Sequence, residues 1–367
     1  MREALSAGVS RRRIRRDDLA RQYHGARSSL PPLATDAKPQ RIAFRRLEEY
    51  QPLLSGEQFF SSASAAVYWG LPLPWAVQGG PVHVATQWPN RAPRVDGTIG
   101  HALRRPHVVE RDGWRVQAPT DAWCELSTLL TLDELIAAGD ALFYRQRKLT
   151  TRDRLANAIR KWGSKPGALL LREAFELIRE NAESPKETEW RLILMRAGFP
   201  EPTISHEVRD ANGELIAILD LAYEWAQTGL DYEGRHHADD PDQFARDGVR
   251  YNALQRAGWH DIRIMAGMAK ADILDDLDER LTKKGWRRPD PPAPSRHTNR
   301  HSPPPGRHKS TPPVMETYKV DDLPGATTLG RHECTEGPHE ACKSDDRVQT
   351  TARNQGEPRG RKRDISC

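Results

Sequence analysis

Between Glu214 and His237 two strand-like runs carry carboxylates toward one place, and few folds can accommodate that. The apolar run Leu215 to Leu219 leads straight into Asp220, which reads as a buried strand ending in a carboxylate. Leu230 to Gly234 alternates with period two, so Asp231 and Glu233 point to one face and Tyr232 to the other. Carboxylates gathered this way repel, and a chain tolerates them when a divalent cation or a shared proton offsets the repulsion. Their oxygens are the ligands that hard cations such as Mg2+ prefer. Gly234 permits a sharp turn, and His236 and His237 follow within reach of the same face.

The flanks extend the pattern. Ser184-Pro185-Lys186-Glu187-Thr188 opens a helix carrying Trp190, Leu192, Ile193, Leu194 and Ala197, which closes at Gly198-Phe199-Pro200. Downstream, Phe244 to Asp247 and Arg250 begin a second helix ending at Ala257-Gly258-Trp259, and Asp261 to Met265 reads as a short strand. Helix, hairpin, strand, helix, strand with Asp, then Asp-x-Glu, then Gly-x-x-His resembles the PD-(D/E)XK nuclease superfamily, and more closely its Vsr-related endonuclease domain.

That resemblance implies a restriction-endonuclease-like mixed sheet flanked by helices and a metal-dependent DNA endonuclease. Asp220 matches the metal-binding aspartate, Asp231 matches the acid of the (D/E)XK element, and Glu233 stands where many relatives have lysine. The implied ligands of Mg2+ or Mn2+ are Asp220, Asp231 and Glu233. Glu187 matches the acid of the opening helix, and His237 matches the family histidine that would act as general base or orient the attacking water. Arg246 and Arg250 occupy an Arg-Asp-x-x-Arg helix start that contacts a phosphate or braces the core. Taken singly each residue has a bland reading: a solvated strand-end acid, a first-turn helix charge at Glu187, an exposed His236.

At the other end, residues 1–28 read as helix, turn, helix. Ser10 is a good N-cap for a helix that turns Ile14 and Leu19 inward and Arg11, Arg12, Arg13, Arg15 and Arg16 outward. In a helix-turn-helix those arginines meet DNA; otherwise they form a solvated basic helix. With Ser62-Ala63-Ser64-Ala65-Ala66 and Trp69-Gly70-Leu71-Pro72, this start resembles the N-terminal part of AbiEi-type antitoxins, which implies a winged-helix-like region. Ser62 or Ser64 would cap that helix, Trp69 would pack, and Gly70 would stop it.

Residues 81–119 are strand-like, with turns at Pro89-Asn90, Asp96-Gly97 and Asp112-Gly113, the last a hairpin signal. His83, His101 and His107 lack ligand spacing. Helices are expected at 120–141 and at 155–178, interrupted at Gly163 to Gly167. The expected organisation is therefore α+β or α/β: a helix-turn-helix-like region at 1–60, an AbiEi-like region with connecting helices at 61–180, a nuclease-like domain at 181–286, and a disordered tail at 287–367, whose prolines and charges bury too little apolar surface to fold. His332, Cys334, His339 and Cys342 suit Zn2+ by ligand type, but no folded scaffold surrounds them.

The formal net charge of +5 suits nucleic acid without demanding it. No long apolar run or signal sequence is present, so a soluble, cytoplasmic or nucleoid-associated protein is expected, with DNA rather than membrane as partner and a homodimer as an assembly. Two functions remain open: a Mg2+- or Mn2+-dependent endonuclease, or an antitoxin-like transcriptional regulator on an inert nuclease fold, with a toxin as partner.

Overall fold

The computed structural model describes residues 2–233 and 241–288. The N-terminal segment forms α1 (Arg2–Ser6) and α2 (Arg11–Ile14). Ser10 caps α2 as expected, its Oγ accepting the Arg13 N–H at 3.2 Å, and Ile14 and Leu19 are buried. The helix stops after one turn, however, and Leu19 reaches the core from the loop beyond it, where Ala20 bridges to Ser28.

Next come α3 (Pro39–Tyr50), β1 (Gln58–Phe60), α4 (Ser62–Tyr68), α5 (Trp75–Gln78), β2 (Val82–Gln87), β3 (Thr98–Leu103), β4 (Val108–Arg111) and β5 (Trp114–Gln117). Among the described residues the strands form one sheet in the order β3-β2-β1-β5-β4, with β2/β3 and β1/β5 parallel. The Asp112-Gly113 signal is met: both residues have positive φ, the backbone a two-residue hairpin between β4 and β5 requires. Neither Ser62 nor Ser64 caps α4, contrary to expectation. The Ser64 hydroxyl instead accepts the His83 N–H of β2 at 2.8 Å, tying helix to sheet. Trp69 packs as expected and donates Nε1–H to the Gln117 carbonyl at 2.7 Å.

Helices α6 (Pro119–Leu126), α7 (Leu132–Asp140), α8 (Arg152–Trp162) and α9 (Ala168–Leu177) complete this half. One apolar core runs through it, from Tyr23, Phe44 and Tyr50 to Trp123, Leu142 and Leu171, so residues on both sides of position 60 share a single interior.

The second half is α10 (Pro185–Arg196), β6 (Thr203–Arg209), β7 (Leu215–Tyr223), β8 (Thr228–Glu233), α11 (Pro241–Arg256), β9 (His260–Met265) and α12 (Lys270–Lys283). The order helix, hairpin, strand, helix, strand is met. The strands form a mixed sheet in the order β6-β7-β8-β9, antiparallel except for β8/β9. Leu221, Tyr223, Leu230, Ile262 and Ile264 pack with Trp190 of α10 and Leu277 of α12, whereas Ala217, Leu219 and Ala222 pack with Leu254 of α11. Helices on both faces explain why β7 is apolar almost throughout.

Helix α10 joins the halves. Leu192 lies in the first core, Trp190 and Leu194 in the second. The Asp140 carboxylate at the end of α7 accepts from the Arg179 N–H at 2.7 Å, the Thr188 hydroxyl at 2.8 Å and Arg191 Nη2 at 2.9 Å, with Asp140, Thr188 and Arg191 buried. Burial pushes Asp140 up to about 6 against the lowering effect of Arg191. Among the described residues no helix is long and apolar enough to cross a membrane.

Candidate acidic site

Strand β7 does not end at Asp220 but runs three residues further, to Tyr223. Asp220 therefore sits inside the strand, one step beyond Leu221↔Leu230, the last registered pair with β8. There two side chains replace the backbone ladder. The Asp220 N–H donates to Asp231 Oδ1 at 2.8 Å, and Asp220 Oδ2 accepts the Tyr232 N–H at 2.8 Å. The second oxygen of Asp231 is taken by Arg250 of α11, which also reaches the Ile218 carbonyl.

Strand β9 adds charges not anticipated from the sequence. In the parallel register Asp231 lies beside Arg263 and Glu233 beside Met265. Arg263 Nη1 holds Glu233 at 3.0 Å, with its Nε 3.7 Å from Asp261. Asp261 is 6% exposed, and among the described residues neither of its carboxylate oxygens has a hydrogen-bond partner. Glu187, in the first turn of α10, is buried; its Oε2 accepts the Glu183 N–H at 2.8 Å, and its own N–H donates to Ser184 Oγ at 3.2 Å. A capping duty thus accounts for one Glu187 oxygen.

Five carboxylates, of Glu187, Asp220, Asp231, Glu233 and Asp261, stand against the two guanidiniums of Arg250 and Arg263. Three of them, Glu187, Asp220 and Asp261, are shifted upward. Burial, then the Asp231 charge, pushes Asp220 up to about 7. Burial, then the Asp220 charge, holds Glu187 well above the carboxylate range. Burial and Asp231 raise Asp261 to about 6. The site binds protons readily because the carboxylates are buried and crowd one another, and a divalent cation would relieve the same repulsion.

The chain is similar to two uncharacterized proteins of Mycobacterium tuberculosis, from strains CDC 1551 / Oshkosh and ATCC 25618 / H37Rv. Each is 27% identical over 186 residues, spanning 47% of this chain and 68% of the relative. No family model matches the chain, and no solved structure does.

Metal fit is a matter of donor chemistry. Among the described residues no three His, Cys, Asp or Glu side chains form a group able to hold a metal ion as they stand. Mg2+, however, is commonly held by one or two carboxylates, with water and substrate phosphate filling its octahedron. Asp220 Oδ1 has no partner among the described residues, and Asp261 offers two unbonded oxygens, so hard-cation chemistry fits. Of the expected ligands, Asp231 and Glu233 are instead engaged by arginines. His236 and His237 lie outside the described residues, as do the side chain of Arg246 and the tail from 289, with its His332 to Cys342 group.

The N-terminal arginines are only partly gathered. Arg11, Arg12, Arg15 and Arg16 are exposed, while Arg13 pairs with Asp18 at 2.9 Å and Arg16 with the same carboxylate at 3.5 Å. Asp261 and Arg263 had a faint sequence signal: two opposite charges spaced by two within a strand otherwise built on Ile262 and Ile264.

Proposed function

We propose that the acidic face of β7, β8 and β9 is a Mg2+- or Mn2+-dependent site that hydrolyses phosphodiester bonds in DNA. The observation that carries this reading is the gathering of carboxylates at Asp220, Glu187 and Asp261, which burial and neighbouring carboxylates hold above the usual range although Arg250 and Arg263 lower Asp261 and Arg250 lowers Asp220. A bound Mg2+ would supply Lewis acidity to the scissile phosphate and lower the pKa of an attacking water. Asp220 is the leading ligand, presenting Oδ1 while its other oxygen stays fixed on the Tyr232 N–H. Asp231 orients Asp220 through the reciprocal backbone bond, and Arg250 holds the other oxygen of Asp231 in an ion pair. His237 would take the proton of the attacking water.

The test uses the full-length chain with supercoiled plasmid, in Mg2+, in Mn2+ and in chelator, beside Asp220→Asn. Nicking that requires both the metal and Asp220 is the expected result. Intact plasmid in every condition, with DNA still bound, would replace this reading with the second one, an antitoxin-like transcriptional regulator on a catalytically inert fold. One observation favours that alternative: arginines already engage Asp231 and Glu233.

A further inference from the structure

Strands β2 and β3 are parallel, so the connection between them must travel back along their length. It does so pressed against β3. At Gly100, in the middle of that strand, a Cβ would fall 1.9 Å from the Pro93 carbonyl oxygen, so only glycine lets the loop lie so close. The loop begins at Trp88, whose N–H donates to the Leu103 carbonyl at 2.9 Å, and it ends at Gly97, against the Tyr23 ring. Four arginines mark this path and the end of β3: Arg91, Arg94, Arg104 and Arg105, all exposed. Among the described residues none of them is paired with a carboxylate, and Asp96 is the only acid between 87 and 107.

An aromatic completes the stripe. The Trp88 indole is 52% exposed, and the Arg104 guanidinium lies 4.5 Å from its ring centroid. A large apolar ring on the surface, stacked with a guanidinium and bordered by unpaired arginines, lacks a reason within the fold. It combines what a polynucleotide needs, cations for phosphates and a flat face for a base. The six residues of β3 span roughly 20 Å, the rise of about six base pairs. Beyond Gly97 the stripe meets Tyr23, which follows the segment bearing Arg15 and Arg16.

We infer that Trp88, Arg91, Arg94 and Arg104 form a nucleic-acid-binding surface that takes phosphates along the loop and stacks an unpaired base on Trp88. This surface belongs to the first half of the chain and does not rest on the acidic face. Nuclease and regulator alike would use it.

The test measures fluorescence anisotropy of a labelled single-stranded oligothymidylate, and of a duplex, with the full chain in chelator so that cleavage plays no part. Arg91→Gln/Arg94→Gln/Arg104→Gln should weaken both by at least about tenfold and flatten the salt dependence by about two to three phosphate contacts. The matching triple lysine variant should retain most of the affinity, and equal thermal melts of the two variants would exclude misfolding. Trp88→Ala should weaken the single strand by about fivefold or more while leaving the duplex close to wild type. Wild-type affinity and salt dependence in the glutamine variant would overturn the inference. So would a loss confined to anionic phosphatidylserine vesicles, which would make the surface one for membranes.

Discussion

Asp220 and Asp231 each fasten the other's strand, the Asp220 N–H on Asp231 Oδ1 and the Tyr232 N–H on Asp220 Oδ2, both at 2.8 Å. The pair builds the local strand geometry as well as its charge, so a substitution must keep the acceptor to be informative. Asp220→Asn does. It should fold with wild-type circular dichroism yet lose metal-dependent plasmid nicking, whereas Asp220→Ala should lower the melting temperature as well.

The acids set a pH dependence whose direction is calculable. Asp220, at about 7, and Asp261, at about 6, bind a proton more tightly folded than unfolded, where a carboxylate titrates near 4. Their stabilising contribution is complete below pH about 4 and is lost as pH rises through the folded values. Asp140 adds a change of the same sign, and His83, lowered to about 4 by burial and then by the His101 charge, opposes it between about 4 and 6.5. Calorimetric scans should therefore show stability falling from pH 5 to 8 less steeply in Asp220→Asn than in wild type. At pH 8, Mg2+ should raise the wild-type midpoint but not that of the variant.

Arg250 is expected to be structural before it is anything else. Arg250→Met leaves the Asp231 carboxylate buried beside Asp220 and Asp261 with its guanidinium partner gone. Removing one member of a fully buried pair costs about 3–5 kcal/mol. Arg250 is 28% exposed, so about 2 kcal/mol is expected here, read by urea unfolding. An unchanged midpoint would mean that the carboxylate has another partner.

The contact between Asp140 and Arg191 should be the most sensitive point between the two halves. Both side chains have no exposure, and Asp140 also accepts from Thr188 and the Arg179 backbone. Arg191→Leu should destabilise by about 3–5 kcal/mol, again by urea unfolding. A loss under about 1 kcal/mol would show that the pair does not hold α7 to α10.

Gly100→Ala tests how the β2–β3 loop is seated. The new methyl would collide with the Pro93 carbonyl, a backbone atom that cannot swing aside as a side-chain tip does. A cost of about 1–3 kcal/mol is expected, together with weaker binding of single-stranded DNA. Wild-type stability would mean that the loop does not press on β3.

Local features were legible in the sequence because their causes are local. Ser184 at the N-cap and Pro185 after it open α10, Asp112-Gly113 turns β4 into β5, and the break at Gly163 to Gly167 separates α8 from α9. Expectations failed where a neighbour in space competed. Ser64 left its own helix end for the His83 amide, and α2 ended after one turn while Leu19 found the core from a loop. Asp220 lies inside its strand because apolar residues follow it as far as Tyr223, a continuation that the polar change at Asp220 conceals.

The sequence by itself determined that Asp231 and Glu233 share a face, that an apolar strand leads into Asp220, and that Glu187 lies in the first turn of a helix, because side-chain alternation and helix capping depend on residues only a few positions apart. Only the tertiary structure decided which charges meet. Asp261 and Arg263 join the site because β9 returns parallel to β8 after α11, and Arg250 reaches Asp231 because α11 crosses that face. Such pairings depend on a crossover through a whole helix, and no short-range pattern encodes its register.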